Sequence, residues 1–113
     1  MTPAYRYRAT LLRAIDADTF LLDVDLGFRI HVNQTIRLRG IDAPELSTEA
    51  GKAARRYVVD RFAAAADGIV VETYRDKQTF ARWVADVWVD GEPLADLLRV
   101  AGHEKPAPRT EGV

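Results

Sequence analysis

The chain has 113 residues, 48% of them hydrophobic and 29% charged, with a net charge of −1, a sequence pI of about 6.1 and no cysteine. Length and balance fit one globular domain with a modest core and exclude a chain disordered throughout. The missing cysteines exclude disulfides and thiolate metal sites, and no run approaches the roughly 20 apolar residues of a membrane helix. The pI argues against a broad basic footprint on duplex nucleic acid, but leaves room for two or three arginines on a phosphate.

The opening "MTPAYRYRATLL" lacks the long apolar stretch of a secretory leader, so a soluble, cytoplasmic protein with no membrane partner is expected. Residues 5–15, "YRYRATLLRAI", begin with Tyr5 and Tyr7 alternating with Arg6 and Arg8, the period of a strand. "DADT", 16–19, is a turn. "FLLDVDLGF", 20–28, sets Phe20, Leu22, Val24 and Leu26 on one face, with Gly27 marking a bulge or bend. Over 29–40 the even positions Ile30, Val32, Ile36 and Leu38 are apolar. The odd positions Arg29, His31, Asn33, Thr35, Arg37 and Arg39 are polar, which predicts a half-buried strand with both Arg37 and Arg39 on its wet face.

The period then changes. Residues 47–68 predict a helix with Ser47 or Thr48 as cap and Glu49 in its first turn; Ala54, Tyr57, Val58, Arg61 and Ala65 stand at helical spacing and Gly68 is the stop. "IVVETY", 69–74, reads as a strand and "RDKQTF", 75–80, as a polar connector. "ARWVADVWVDG", 81–91, is a strand with Trp83, Ala85, Val87 and Val89 facing the core and Arg82 and Asp86 turned away. Pro93 opens a short helix that Gly102 closes. A domain over 1–102 followed by a disordered or irregular tail over 103–113 results. Three strands, a helix, two strands and a short helix are the order of an α+β protein built on a five-stranded OB-type β-barrel, though other small α+β folds share the pattern.

Several polar residues carry a bland and a chemical reading. Asp18 and Asp42 each close a strand; aspartates at turns commonly bond their own backbone, but if the strands are neighbours the two carboxylates meet at one rim, where they suit a hard cation. Glu45 follows Pro44 and precedes the helix, a favourable place for any carboxylate and a suitable one for a general base. Arg37 and Arg82 are solvated strand arginines or a fork for phosphate oxygens. Arg6, Arg8, Arg29 and Arg39 read as solvated, His31 and His103 as surface residues, and Trp83 and Trp88 as packing.

Taken in order, "IDADTF", "IRLRGIDAPE", an Ala- and Arg-rich helix and "FARWVADVWVDG" resemble the staphylococcal (micrococcal) nuclease-like family, or thermonucleases, over about residues 9–102. The family signature runs D-G-D-T, then R-L-x-x-I/V-D-x-P-E, then Y/F-G-R leading a strand that ends in D-G; the middle motif is the specific one. "DLGF" after the first motif, as in short variants, suggests a phage or prophage source and hence a host cytoplasm. The resemblance implies a five-stranded OB barrel with packed helices and cleavage of single-stranded DNA or RNA by water attack, leaving 3′-phosphate ends. By the same resemblance Asp18, Asp42 and the Ala43 carbonyl would hold Ca²⁺ (Mg²⁺ or Mn²⁺ as substitutes). Glu45 would be the general base, and Arg37 and Arg82 would grip the scissile phosphate.

The chain departs from the family pattern at four places. Ala17 replaces the turn glycine, so a strained turn is expected if that position needs positive φ. Ala81 replaces the glycine before Arg82. Thr79 and Phe80 stand where the family has lysine and tyrosine, and no tyrosine follows Gly102, so poorer base contacts are expected. A third helix is missing, which leaves a monomer or weak homodimer. These departures keep open a second reading, a non-catalytic OB module that binds single-stranded nucleic acid or a protein partner.

Overall fold

The computed structural model describes residues 5–78 and 83–105. Arg82, with Thr79, Phe80 and Ala81, falls outside the described residues, as do 106–113. Strands β1 (Arg6–Asp16), β2 (Thr19–Asp25) and β3 (His31–Leu38) form an antiparallel meander. Helix α1 (Glu49–Ala63) follows, then β4 (Ile69–Gln78), β5 (Trp83–Val89), the two-residue β6 (Glu92–Pro93) and helix α2 (Leu94–Val100). The sheet order is β3-β2-β1-β4-β5-β6, and a parallel pairing of Ile36–Leu38 with Trp83–Ala85 joins β3 to β5. That pairing closes five strands into a mixed barrel, the OB-like architecture expected from the order of elements.

Closure depends on the curl of β1. Its pairing with β2 skips at Leu12 and at Ile15, so β1 carries two bulges. An extra residue bends a strand and raises its twist, which lets β1 pair with β2 along its length and with β4 from Arg6 to Ala9. The alternating apolar residues Phe20, Leu22, Val24, Ile36, Leu38, Val71, Ala85, Val87 and Val89 fill the barrel. Helix α1 lays Ala54, Val58 and Phe62 on this core at helical spacing, with the Phe62 ring edge-on to Phe20 at 5.4 Å. Leu94 and Leu98 of α2 are fully buried.

Several boundaries differ from expectation. β2 stops at Asp25; Leu26 is partly exposed, and Ile30 lies outside β3 and is exposed. Helix α1 ends at Ala63, before Ala65 and Gly68, because the Asp90 carboxylate accepts from the N–H groups of Ala66 (3.3 Å) and Asp67 (2.6 Å) and draws the chain off the helix axis. Thr48 is the N-cap, its hydroxyl accepting from Gly51 N–H at 3.0 Å. β4 runs through the expected polar connector as far as Gln78. Pro93 is the N-cap of α2 and not its first helical residue. Trp83 is half-buried and borders an apolar groove of about 520 Å³, with Tyr5, Tyr7 and Val32 among its other walls. Among the described residues no helix is long and apolar enough to cross a membrane.

Candidate active site

The site is assembled by two turns at one rim of the barrel. The β1–β2 turn, Asp16–Thr19, presents Asp18, and the loop after β3 presents Asp42, Ala43, Pro44 and Glu45. Two hydrogen bonds tie the β1–β2 turn to the end of β3 and the loop after it: Leu38 N–H donates to Asp18 O at 2.7 Å, and Ala43 N–H to the Asp18 carboxylate at 2.8 Å. Gly40, at φ 84°, takes the left-handed conformation that turns the chain off β3 towards this rim. The result is a cleft of about 350 Å³ lined by Asp16, Asp18, Thr19, Asp42, Ala43, Pro44, Glu45, Leu46 and Lys105.

Arg37 lies beneath the cleft and ties its walls. The guanidinium Nη1 donates to Leu38 O (2.6 Å) and Ile41 O (2.8 Å) and lies 3.5 Å from Asp18 Oδ2, while Nη2 bonds Asp42 Oδ1. Its side chain is only 19% exposed, so the expectation that Arg37 and Arg39 share a wet face holds for Arg39 alone. Arg39 stays exposed, donating to both Asp86 oxygens at 3.1 Å and lying over the Tyr74 ring. The difference follows from position: Arg37 faces the returning loop, and Arg39 faces solvent beyond Ala85, whose carbonyl accepts its N–H.

Glu45 is held by its backbone more than by its side chain. The Glu45 carbonyl accepts from both the N–H (3.0 Å) and the hydroxyl (2.6 Å) of Thr48. The carboxylate, 70% exposed, meets Lys105 Nζ at 3.2 Å. The 45–46 backbone lies flat against the first turn of α1 at Gly51, where an added Cβ would stand 1.8 Å from Glu45 O and 2.4 Å from its carbonyl carbon. Only glycine permits that approach.

The structure thus gathers Asp18, Arg37, Asp42, Ala43 and Glu45 at one rim, and Arg82 lies outside the described residues. Three further residues of the rim were not singled out in the sequence. Asp16 accepts from Asp18 N–H at 3.1 Å, and its "D-x-D" spacing was the available signal. Gly51 had none beyond being a glycine inside a helix. Lys105 sits in the stretch read as tail, yet its N–H donates to Asp42 O at 2.7 Å. The surface histidines fare differently: His31 is exposed beside Asp23, whereas His103 is half-buried against the Tyr57 ring at 5.1 Å.

Electrostatically the two turn aspartates are pushed apart. Burial raises the Asp16 carboxyl above the ordinary carboxylate range, and the adjoining Asp18 carboxylate raises it further. Burial also pushes Asp18 upward, but bonds from Asp16, Ala43 N–H and Thr19, with the Arg37 charge, outweigh it and hold Asp18 below that range. Asp18 is therefore the first of the pair to ionise as pH rises. The turn itself is relaxed: Ala17 is fully buried and is not among the residues with positive φ, so the expected strain at this alanine is absent.

Among the described residues no group of three His, Asp or Glu side chains converges closely enough to hold a metal ion. Asp42 is turned onto Arg37 and Glu45 onto Lys105, so the oxygen donors lie along one cleft without surrounding a common point. No protein-family model and no curated protein matches this sequence.

Proposed function

We propose that the chain is a metal-assisted phosphodiester hydrolase of the micrococcal nuclease type, cutting single-stranded DNA or RNA without strong sequence preference. The observation that carries the reading is the bridging of Asp18 and Asp42, 24 residues apart in sequence, by the Arg37 guanidinium, with Asp18, Asp42 and Glu45 lining a single cleft. Arg37 supplies a planar fork for the phosphate oxygens and steadies the charge that builds on phosphorus, exchanging its Asp42 contact for substrate. Glu45, exposed at the cleft and fixed by its backbone, takes the proton of the attacking water. Arg82 is assigned the second grip on the phosphate, by resemblance alone.

The donors are all oxygens, the class that hard cations take, and a crowded Asp16–Asp18 pair is relieved by positive charge. Asp18 and Asp42, with the Ala43 carbonyl, would hold Ca²⁺ (or Mg²⁺ or Mn²⁺), whose chemistry is to orient and neutralise the phosphate. The test is cleavage of single-stranded DNA with and without each cation, wild type beside Glu45→Gln. Calcium-dependent cutting to 3′-phosphate ends, lost in the variant, supports the reading; DNA left intact by the wild type in all three metals overturns it.

One observation favours the non-catalytic OB module. Asp18, Asp42 and Glu45 each already have a cationic partner inside the chain, so the cleft is stable as a closed ion-pair network. Salt-dependent oligonucleotide binding without cleavage identifies that module, and binding that ignores salt points to a protein partner.

A further inference from the structure

The cleft has an excess of negative charge along its walls. Asp16, Asp18, Asp42 and Glu45 line it, and among its described lining residues Lys105 is the one cation. A phosphodiester entering beside four carboxylates meets repulsion unless cations can reach it. Arg37 answers from below, with Nη1 committed to two carbonyls. Lys105 answers from the rim.

Lys105 is delivered there independently of its own side chain. Arg99 of α2 donates to Gly40 O at 2.6 Å and to Glu104 at 3.2 Å, His103 N–H bonds Leu98 O at 2.8 Å, and Lys105 N–H bonds Asp42 O at 2.7 Å. These bonds fasten 99–105 to the loop that carries Asp42 and Glu45. The ammonium itself is loosely committed: its contact with Glu45 is at 3.2 Å between side chains 51% and 70% exposed. An exposed ion pair of that kind is weak, and a lysine stem swings its charge easily.

We propose that Lys105 is a substrate-binding residue that changes partner. In the free protein its ammonium rests on Glu45; when a phosphodiester enters, it moves to a phosphate oxygen, and the Glu45 carboxylate is released to accept a proton. The inference rests on the nucleic-acid reading above and adds to it a phosphate contact from the chain beyond α2.

The test measures binding of a labelled single-stranded thymidine oligonucleotide over a salt series in Ca²⁺, with kcat and KM on the same substrate. For Lys105→Ala the expected result is weaker binding and a higher KM, each by roughly tenfold. The slope of log affinity against log salt should shrink by about 0.7, the loss of one phosphate contact to a single strand. Lys105→Arg should restore both. An unchanged slope and KM overturns the proposal. So does a rise in kcat at constant KM, which would make Lys105 only a brake on Glu45. A wild type that binds but does not cut sinks the hydrolase reading while the salt slope still decides Lys105; a wild type that binds no oligonucleotide overturns both.

Discussion

The two hairpin turns that flank β2 are built in opposite ways. At the β1–β2 turn, Ala17 and Asp18 are buried, neither has positive φ, and the turn is bonded to the loop after β3. At the other end of the strand, the turn closed by Ile30 N–H to Gly27 O has Phe28 at φ 57° and Arg29 at φ 63°, with Phe28 96% exposed. Two left-handed central residues are what a tight hairpin of this hand requires, and neither phenylalanine nor arginine is suited to them. The first turn avoids that requirement because the bulge at Ile15 supplies the local twist. Strain therefore stands at the end where side chains are free, and the end that carries the carboxylates is relaxed, pre-positioned and closely coupled.

The contrast predicts that changes at the rim have large, cooperative effects. Arg37→Ala should have the largest. It strips the partner from Asp18, whose side chain is 12% exposed, and frees the carbonyls of Leu38 and Ile41. A loss of about 3 kcal/mol in unfolding free energy is expected from breaking a largely covered ion pair. Cleavage should fall by roughly 100-fold or more. Denaturant titration and the DNA assay check the two effects, and a variant as stable as wild type would show that the rim is not coupled as described. Gly51→Ala comes next. Its Cβ collides with backbone, so the 45–46 segment must move, at about 2 kcal/mol. Glu45 is the base of the proposed hydrolase, and moving such a group by an ångström lowers rate by roughly 100-fold, so kcat should drop more than KM rises; an active, fully stable Gly51→Ala would remove Gly51 as the support of Glu45.

The strained end should respond in the opposite direction. Replacing Phe28–Arg29 by Asn–Gly puts favoured residues at both left-handed positions. A gain of about 1 kcal/mol is expected, since a left-handed L-residue carries roughly 1–2 kcal/mol of strain and the new glycine gives part back in the unfolded chain. Cleavage should not change, because the substitution lies at the far end of β2 from Asp18. A destabilised double variant would mean that Phe28 is held by contacts rather than tolerated at the tip.

Much of this division was legible in the residues. Alternation located β2 and β3, and the apolar positions Phe20, Leu22, Ile36 and Leu38 are the core. The condition under which Asp18 and Asp42 meet at one rim, neighbouring strands, is met by the Thr19–Arg37 pairing, although both aspartates stand in the turns beyond those strands. What escaped was set by tertiary contact. The end of α1 depends on Asp90, 23 and 24 positions from the N–H groups it captures. The covering of Arg37 depends on a loop folding back over it, which period-two reasoning along a strand does not contain. Lys105 sits in a stretch without periodicity, and its backbone bond to Asp42 and its ion pair with Glu45 reveal it. Gly51 has meaning through a distance to another segment, and a single sequence gives no such distance. Turn conformation at Ala17 is not set locally, because a bulge two residues earlier alters what the turn requires.

The smallest predicted effect sharpens the comparison within the rim itself. Asp16→Asn keeps the oxygen that accepts from Asp18 N–H at 3.1 Å and removes the charge that crowds Asp18. The Asp16 carboxyl is raised by burial and by Asp18, so the folded state holds its proton to higher pH than the unfolded chain does. Its contribution is therefore most favourable below the ordinary carboxylate range and is lost as pH rises through the elevated folded value. Above that elevated value wild-type Asp16 is charged in both states and crowded in one. Asp16→Asn should be more stable there by about 0.5 kcal/mol, the scale of a single partly solvated charge interaction. The advantage should fade as pH falls through the elevated Asp16 value and vanish below the ordinary range, where the wild type is protonated too. Denaturant midpoints across pH in the presence of a chelator give the comparison. A difference that does not change with pH would trace the effect to packing and not to carboxylate crowding.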